Sequence, residues 1–335
     1  MDNASIIAIT IGDPAGIGPE VTAKALMQDK VRKSCRPLIV GDVGVMQRAA
    51  ELVGAPFTFH AVAEASAAHY DPQAPDVLDL GNADVATWQP GQVSASAGRA
   101  AVDYIERAVE LAKSGQVDAL ATGPINKAAL KAAGIPFIGH TELLADMLGE
   151  ERVTTMLATD GLAVVHVTRH VPMAQVAGLV TLNNVLETIR LTDVGLKQMG
   201  IAQPRIAVAA LNPHGGDEGL MGREEIEAIG PAVEAARADG IDASGPIPAD
   251  SVFFRAIRDE FDVVVAMYHD QGHIPIKTHG FERSITVTLG LPVVRTSVDH
   301  GTAFDIAWKG VASEDSMVEA ICLAARLVRG QGAAA

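Results

Sequence analysis

His170, His214 and His269 each stand just beyond a stretch that reads as an apolar strand, namely Leu162 to Val167, Ile206 to Leu211 and Val263 to Ala266. Strands of an open α/β sheet deliver ligand-binding groups past their carboxyl ends. If these three run parallel in one sheet, three neutral imidazoles meet on one edge, which is the donor set of a catalytic divalent-metal site with an open position. The plain alternative is that each is an ordinary surface or hydrogen-bonded histidine among the ten in the chain. His166 and His170 are four apart, as are His269 and His273, the separation of two ligands on one helix face. Neither pair lies in an H-E-x-x-H motif, which argues against a zincin-type hydrolase. His166 follows two valines and reads as a core histidine; His273 reads as a support for the ligands. The densest polar segment, Met267 to Lys277, reads as the tip of the buried strand Val263 to Ala266.

A second constellation is cationic. Lys277, Arg295, His140 and Thr141 are candidates for an anion pocket, in which Arg supplies a planar fork for phosphate or carboxylate oxygens. The alternative is that Lys277 and Arg295 are solvated charges at strand ends. Arg295 weakens that alternative, because it ends the apolar run Leu291 to Val294, where an unpaired charge is unfavourable.

These groups need a scaffold, and strand and helix signals alternate along the chain. Ile6 to Ile11 reads as a strand, followed by the turn Gly12-Asp13-Pro14-Ala15-Gly16-Ile17-Gly18-Pro19-Glu20 and a helix from Val21. The turn has a phosphate-loop shape but the spacing of neither G-x-G-x-x-G nor a P-loop, so a plain tight turn is an equal reading. Further strands are expected at Leu38 to Val40, Phe57 to His60, Ala119 to Thr122, Val153 to Leu157, Ile285 to Leu289 and Val293 to Thr296. Helices are expected at Val43 to Leu52, Ser96 to Lys113, Leu143 to Leu148 with Thr141 as its cap, Leu182 to Met199, Glu224 to Ala238, Asp250 to Ile257 and Met317 to Val328. Residues 61 to 95 read as surface connection.

With 335 residues, 48% of them hydrophobic, the chain has material for a large core and two closely associated domains. Aromatics at 4% and 32 glycines suit helices packed tightly on a mainly parallel sheet. The formal net charge of −15, with no basic block, argues against a nucleic-acid surface, so an anionic ligand needs a local pocket. Two cysteines make no disulfide framework, and the start of the chain lacks a basic stretch followed by an apolar one. With no apolar run long enough to span a bilayer, a cytoplasmic protein without a membrane partner is expected.

Five segments together carry a resemblance. Gly12 to Glu20, Gly139-His140-Thr141-Glu142, Asn212-Pro213-His214, Tyr268-His269-Asp270-Gln271-Gly272 and Thr296-Ser297-Val298-Asp299-His300-Gly301-Thr302-Ala303 resemble, in order and over nearly the whole chain, the 4-hydroxythreonine-4-phosphate dehydrogenase family. The resemblance implies a two-domain fold like that of isocitrate and isopropylmalate dehydrogenases, with an interdomain cleft. It places an outer α/β domain at 1–130 with 297–335, and at 131–296 a central domain carrying metal, substrate and dimer contacts. It implies a homodimer with shared active sites, and NAD (or NADP) held by a loop like His300-Gly301-Thr302-Ala303-Phe304-Asp305-Ile306-Ala307, in which His300, Gly301, Thr302 and Asp305 are the binding residues.

The same resemblance assigns a divalent ion (Zn, Mg, Co or Mn) to His170, His214 and His269. It assigns substrate contacts to His140, Thr141, Lys277, Thr286 and Arg295. The implied reaction is oxidation with decarboxylation of 4-hydroxy-L-threonine 4-phosphate, giving a precursor of pyridoxal phosphate; Lys277, Asp270 and His140 are candidates for the group that takes the hydroxyl proton. In two places the chain departs from the family pattern. Thr286 stands where the family has a substrate-contacting Asn, and His273 to Lys277 with Phe304 to Trp308 are more similar to a branch that oxidises D-threonate or D-erythronate 4-phosphate. A reading from another class is a metal-dependent hydrolase using the same histidines without nicotinamide. Substrate-dependent NADH formation separates the two.

Overall fold

The computed structural model describes residues 4–137 and 139–330, so the last five residues of the expected outer domain lie outside those described. The chain packs as two units, one running to Glu151 and resuming at Leu291–Arg329, the other Arg152–Gly290. The divisions expected at 130/131 and 296/297 would cut the helix Lys127–Ala132 and the strand Val294–Val298. His140 and Thr141 therefore belong to the first unit.

In the first unit the strands are β1 (Ile6–Thr10), β2 (Arg36–Gly41), β3 (His60–Val62), β4 (Asp76–Asp79) and β5 (Ala119–Thr122). In the second they are β6 (Thr154–Thr159), β7 (Leu162–His166), β8 (Ile206–Ala209), β9 (Ala243–Ile247), β10 (Val263–Ala266) and β11 (Ile285–Leu289); the last strand of the chain, β12 (Val294–Val298), returns to the first unit. The first unit's order is β3-β4-β2-β1-β5-β12, every pair parallel. Such strands are covered on both faces, which is why β1 is apolar up to its last residue, Thr10, with Ile7, Ala8 and Ile9 fully buried. The helix Ala95–Lys113 covers this sheet; Ser94 caps it by accepting from the Ala97 amide, and Gly98 lets it approach the helix Lys127–Ala132.

The second unit runs β11-β6-β7-β10-β8-β9, antiparallel through β11, β6 and β7 and parallel from β7 onward. Its core joins Leu157, Val164, Ala207, Val252, Phe253, Val264 and Ile276. Ile276 is fully buried and docks the helix His269–Gly280 on the sheet, a side chain whose burial contributes about 1.5–3 kcal/mol.

Three expectations need correction. β4 lies inside the stretch read as surface connection; its apolar run is only Val77-Leu78, too short to signal a strand, yet it pairs with both β2 and β3. The segment after β10 is a helix from His269, despite Pro275 within it, rather than an extended tip. The helix His140–Leu148 starts one residue before Thr141, so Gly139 takes the cap position and no side chain caps it.

Candidate active site

Beyond the parallel trio β7, β10 and β8, the chain ends lie along one edge of the second unit's sheet. Pairing continues past the strands, since the Val167 amide donates to the Ala266 carbonyl at 2.8 Å and Thr168 Oγ1 to the Met267 carbonyl at 2.8 Å. Gln271 joins the other side: its Oε1 accepts from the Met267 amide at 2.6 Å and its Nε2 donates to the Ala210 carbonyl at 2.7 Å. This buried amide fixes the start of the helix against the ends of β10 and β8, and so fixes His269.

Four imidazoles gather there. The rings of His170 and His269 are 5.7 Å apart between centroids, and His269 stacks on His273 at 3.5 Å. His166 lies beneath, 4.8 Å from the His273 ring, and a Cβ at Gly272 would come within 2.3 Å of its Nε2, so the approach needs a glycine. Burial pushes the His166 pKa down to about 3, aided by the positive forms of His273, His269 and Arg169, and holds the ring neutral. His269 Nδ1 is bonded to Asp270 Oδ1 at 2.7 Å, a pairing that fixes the ring's orientation. His214 is exposed on the loop after β8, its Nδ1 3.9 Å from Asp250 Oδ2, and joins none of these ring contacts.

The cationic group is divided between the units. Arg295 is 2% exposed on β12, where its Nε and Nη2 donate to Thr122 Oγ1 of β5 at 3.1 and 2.6 Å. Burial pushes its pKa down to about 9, which leaves it charged at neutral pH. His140, at the start of its helix, is bonded to the backbone of Gly123 just after β5. Desolvation, then the Arg295 charge, holds its pKa well below the ordinary value. Buried Arg295, neutral His140 and a helix amino end thus meet within the first unit, an arrangement suited to a phosphate. Lys277 and Thr286 lie in the second unit; Lys277 Nζ donates to Ser284 Oγ at 2.8 Å, and Thr286 is half-buried in β11 opposite Leu157.

In the first unit the 299–309 loop is tied to the Gly12–Gly18 turn. The Ile17 amide donates to the Thr302 carbonyl at 3.1 Å, and Trp308 Nε1 to the Pro14 carbonyl at 2.9 Å. Thr302 Oγ1 accepts from Asn126 Nδ2 at 3.0 Å. His300 Nδ1 turns back on the Gly301 carbonyl at 3.0 Å, while Asp305 and Gly301 are exposed. Inside this construction Asp13 is fully buried, with Oδ1 accepting from the Ala15 amide; burial pushes its carboxyl up to about 6.

The family model described as pyridoxal phosphate biosynthetic protein PdxA matches residues 33–324. The chain belongs to the PdxA family. A 4-hydroxythreonine-4-phosphate dehydrogenase of Desulforapulum autotrophicum is 49% identical over 97% of this chain and 96% of its own. A D-threonate 4-phosphate dehydrogenase of Cupriavidus necator is also 49% identical, over 97% and 98%. Among solved structures, a 4-hydroxythreonine-4-phosphate dehydrogenase from Burkholderia phymatum is 48% identical, with a TM-score of 0.87 over 97% of this chain and 98% of that one.

Relatives named as dehydrogenases leave the hydrolase reading without support. Tested against a divalent ion, this PdxA-family chain fits in donor chemistry: imidazoles at one sheet edge, one of them oriented by a carboxylate. It brings His170 and His269 together; no three His, Cys, Asp or Glu side chains form a ready cage among the described residues. Gln271, Thr122 and Glu225, the last bonded to the backbone before His214, were not singled out from sequence as site residues. Gln271 and Thr122 do lie in or beside strand-end motifs, a signal that could have found them.

Proposed function

We propose that the chain is a metal-dependent NAD (or NADP) dehydrogenase that oxidises and decarboxylates a 4-phosphorylated 3-hydroxy acid, with 4-hydroxy-L-threonine 4-phosphate as the first candidate. The carrying observation is Arg295, a buried cation beside neutral His140 in a chain of net charge −15. Relatives 49% identical bear names that specify 4-phosphorylated acids, which supports reading that pocket as a phosphate site. When bound, the nicotinamide would supply the hydride acceptor and a divalent ion at His170, His214 and His269 would supply a Lewis acid at the reacting oxygen.

The chain's own residues then do the rest. Arg295 and His140, with Thr141 and the helix amino end, hold the phosphate and so place the reacting carbon. His300, Gly301, Thr302 and Asp305 line the cofactor loop, whose shape is set by its bonds to the Gly12–Gly18 turn. The three candidate acceptors of the hydroxyl proton each have a partner in the chain: Asp270 is bonded to His269, Lys277 to Ser284 and His140 to the Gly123 backbone. NADH formation with 4-hydroxy-L-threonine 4-phosphate or D-threonate 4-phosphate, abolished by a chelator and restored by added Zn, Co, Mn or Mg, is the expected result. No NADH from either acid, with metal supplied, would overturn the proposal.

A second substrate reading, D-threonate or D-erythronate 4-phosphate, is favoured by Thr286. Asn offers an amide carbonyl and two N–H donors where Thr offers one shorter hydroxyl, so a group of the aminated acid is left to water here. Thr286→Asn is expected to raise kcat/KM for 4-hydroxythreonine 4-phosphate relative to D-threonate 4-phosphate, by up to about tenfold for one neutral hydrogen bond. An unchanged ratio in a folded, metal-loaded variant would return Thr286 to the role of an ordinary strand residue.

A homodimer follows from the same reading. The exposed apolar side chains of the second unit include Met173 near His170, Leu220 and Met221 beyond His214, and Ile274 and Phe281 on or just after the His269 helix, Leu220 being 87% exposed. Apolar surface of this extent around a set of metal donors suits burial against a second copy. Light scattering is expected to give twice the chain mass; a fully active single chain would exclude the shared site.

A further inference from the structure

The loop that carries His214 is built in a conformation that L residues avoid. His214, Gly215, Gly216, Asp217 and Glu218 all have φ between 43° and 82°, and three of the five are not glycine. Such backbone persists only where its surroundings fix it. The chain on either side of this run, at Leu211, Asn212 and Arg223, is held by two adjacent glutamates. Glu225 is 4% exposed; its Oε1 accepts from the backbone amides of Leu211 and Asn212 at 2.9 and 2.8 Å, and its Oε2 from Asn212 Nδ2 at 2.9 Å. Glu224 Oε2 accepts from the same Nδ2 at 2.7 Å and from the Arg223 amide at 3.0 Å.

Asn212, two residues before His214, is therefore gripped through both backbone and side chain by carboxylates, which make stronger acceptors than neutral groups. The geometry tolerates no side chain at Gly222, where a Cβ would lie 2.3 Å from Asn212 Nδ2 and 2.7 Å from Glu224 Oε2. Glu225 opens a π-helical turn, Glu225–Ile229, a wider turn recurrent at functional sites. The core does not demand an acid at this point: a buried glutamate satisfied wholly by the chain that leads to one exposed histidine serves the placing of that histidine.

We propose that Glu225 and Glu224 are positioning residues that set where His214 presents its imidazole to a divalent metal, an inference that rests on the reading of His214 as a ligand given above. Neither glutamate touches the metal; both act through Asn212. The test is titration of the metal-free protein with Co2+, followed by its visible absorption, together with hydrogen exchange of the 211–223 segment. Glu224→Gln, at a half-buried position, is the variant chosen to keep the fold, and Glu225→Gln the stronger one.

Glu224→Gln is expected to weaken Co2+ binding by about tenfold or more, the usual effect of losing a group that orients a ligand, and to speed exchange at Arg223, the backbone amide its carboxylate holds, with the melting temperature little changed. Glu225→Gln is expected to weaken binding further and to speed exchange at Leu211 and Asn212, whose amides it holds. Wild-type Co2+ affinity in a folded Glu224→Gln protein, with exchange unaltered, would overturn the clamp while leaving the metal reading intact. Equal Co2+ affinity in wild type and His214→Ala would overturn the metal reading of His214, and this inference with it.

Discussion

Arg295→Ala is expected to lower kcat/KM for a 4-phosphorylated substrate by about 2 kcal/mol or more, roughly thirtyfold, and to leave the much slower reaction of the unphosphorylated acid little changed. The side chain is 2% exposed on β12, opposite fully buried Leu120 of β5, so its charge sits where desolvation is unfavourable and pushes its pKa down to about 9. An arriving phosphate offsets that penalty, which makes the contact worth more than a surface ion pair. Arg295→Lys keeps a charge but loses the planar fork, and an intermediate loss is expected. The linkage has a definite sign. A base whose folded pKa is depressed favours unfolding while it is charged, so removing Arg295 relieves a burial cost at neutral pH and the variant should remain folded. Equal losses on the phosphorylated and unphosphorylated acids would show that Arg295 does not recognise phosphate.

Arg295 also marks what was legible in the sequence. A cation closing an apolar run is a local signal, as are the runs Val263 to Ala266 and Ile6 to Ile11, because strands covered on both faces need little but apolar side chains. The edge that gathers His170 and His269 followed from those runs plus the assumption of parallel pairing, which β7 and β10 satisfy. What stayed hidden depends on contacts between distant residues. The helix His269–Gly280 contains Pro275 and two glycines and has poor intrinsic propensity; Gln271 bonds to Met267 and Ala210, and burial of Ile276, hold it in place. β4 has two apolar residues between aspartates, and its pairing with β2 and β3 supplies what its sequence does not. The bond between His140 and Gly123, and the grip of Glu225 on Asn212, link positions whose spacing carries no periodicity.

The position of His214, apart from the His170 and His269 rings, leads to the largest expected effects. His269→Ala and His214→Ala should each lower turnover by about a thousandfold or more, since a Lewis acid at the reacting oxygen is worth several kcal/mol. Asp270→Asn should act more mildly, weakening metal affinity by about ten- to a hundredfold, so that its activity recovers in excess metal. A donor set divided between two chains has a further consequence. If one copy contributes His170 and His269 and the other His214, a heterodimer of one His269→Ala chain and one His214→Ala chain carries both lesions in one site and leaves the second site complete. Co-expressed and randomly paired, the two inactive variants should then recover about a quarter of wild-type activity, because half of the dimers are mixed and each has one intact site of two. If His214 and His269 serve the same site from one chain, every site in the mixture is damaged and no activity returns. Recovered activity in the mixture, with neither variant active alone, is the expected outcome; its absence, with both chains folded and mixed dimers demonstrated, would place His214 and His269 of one chain in the same site.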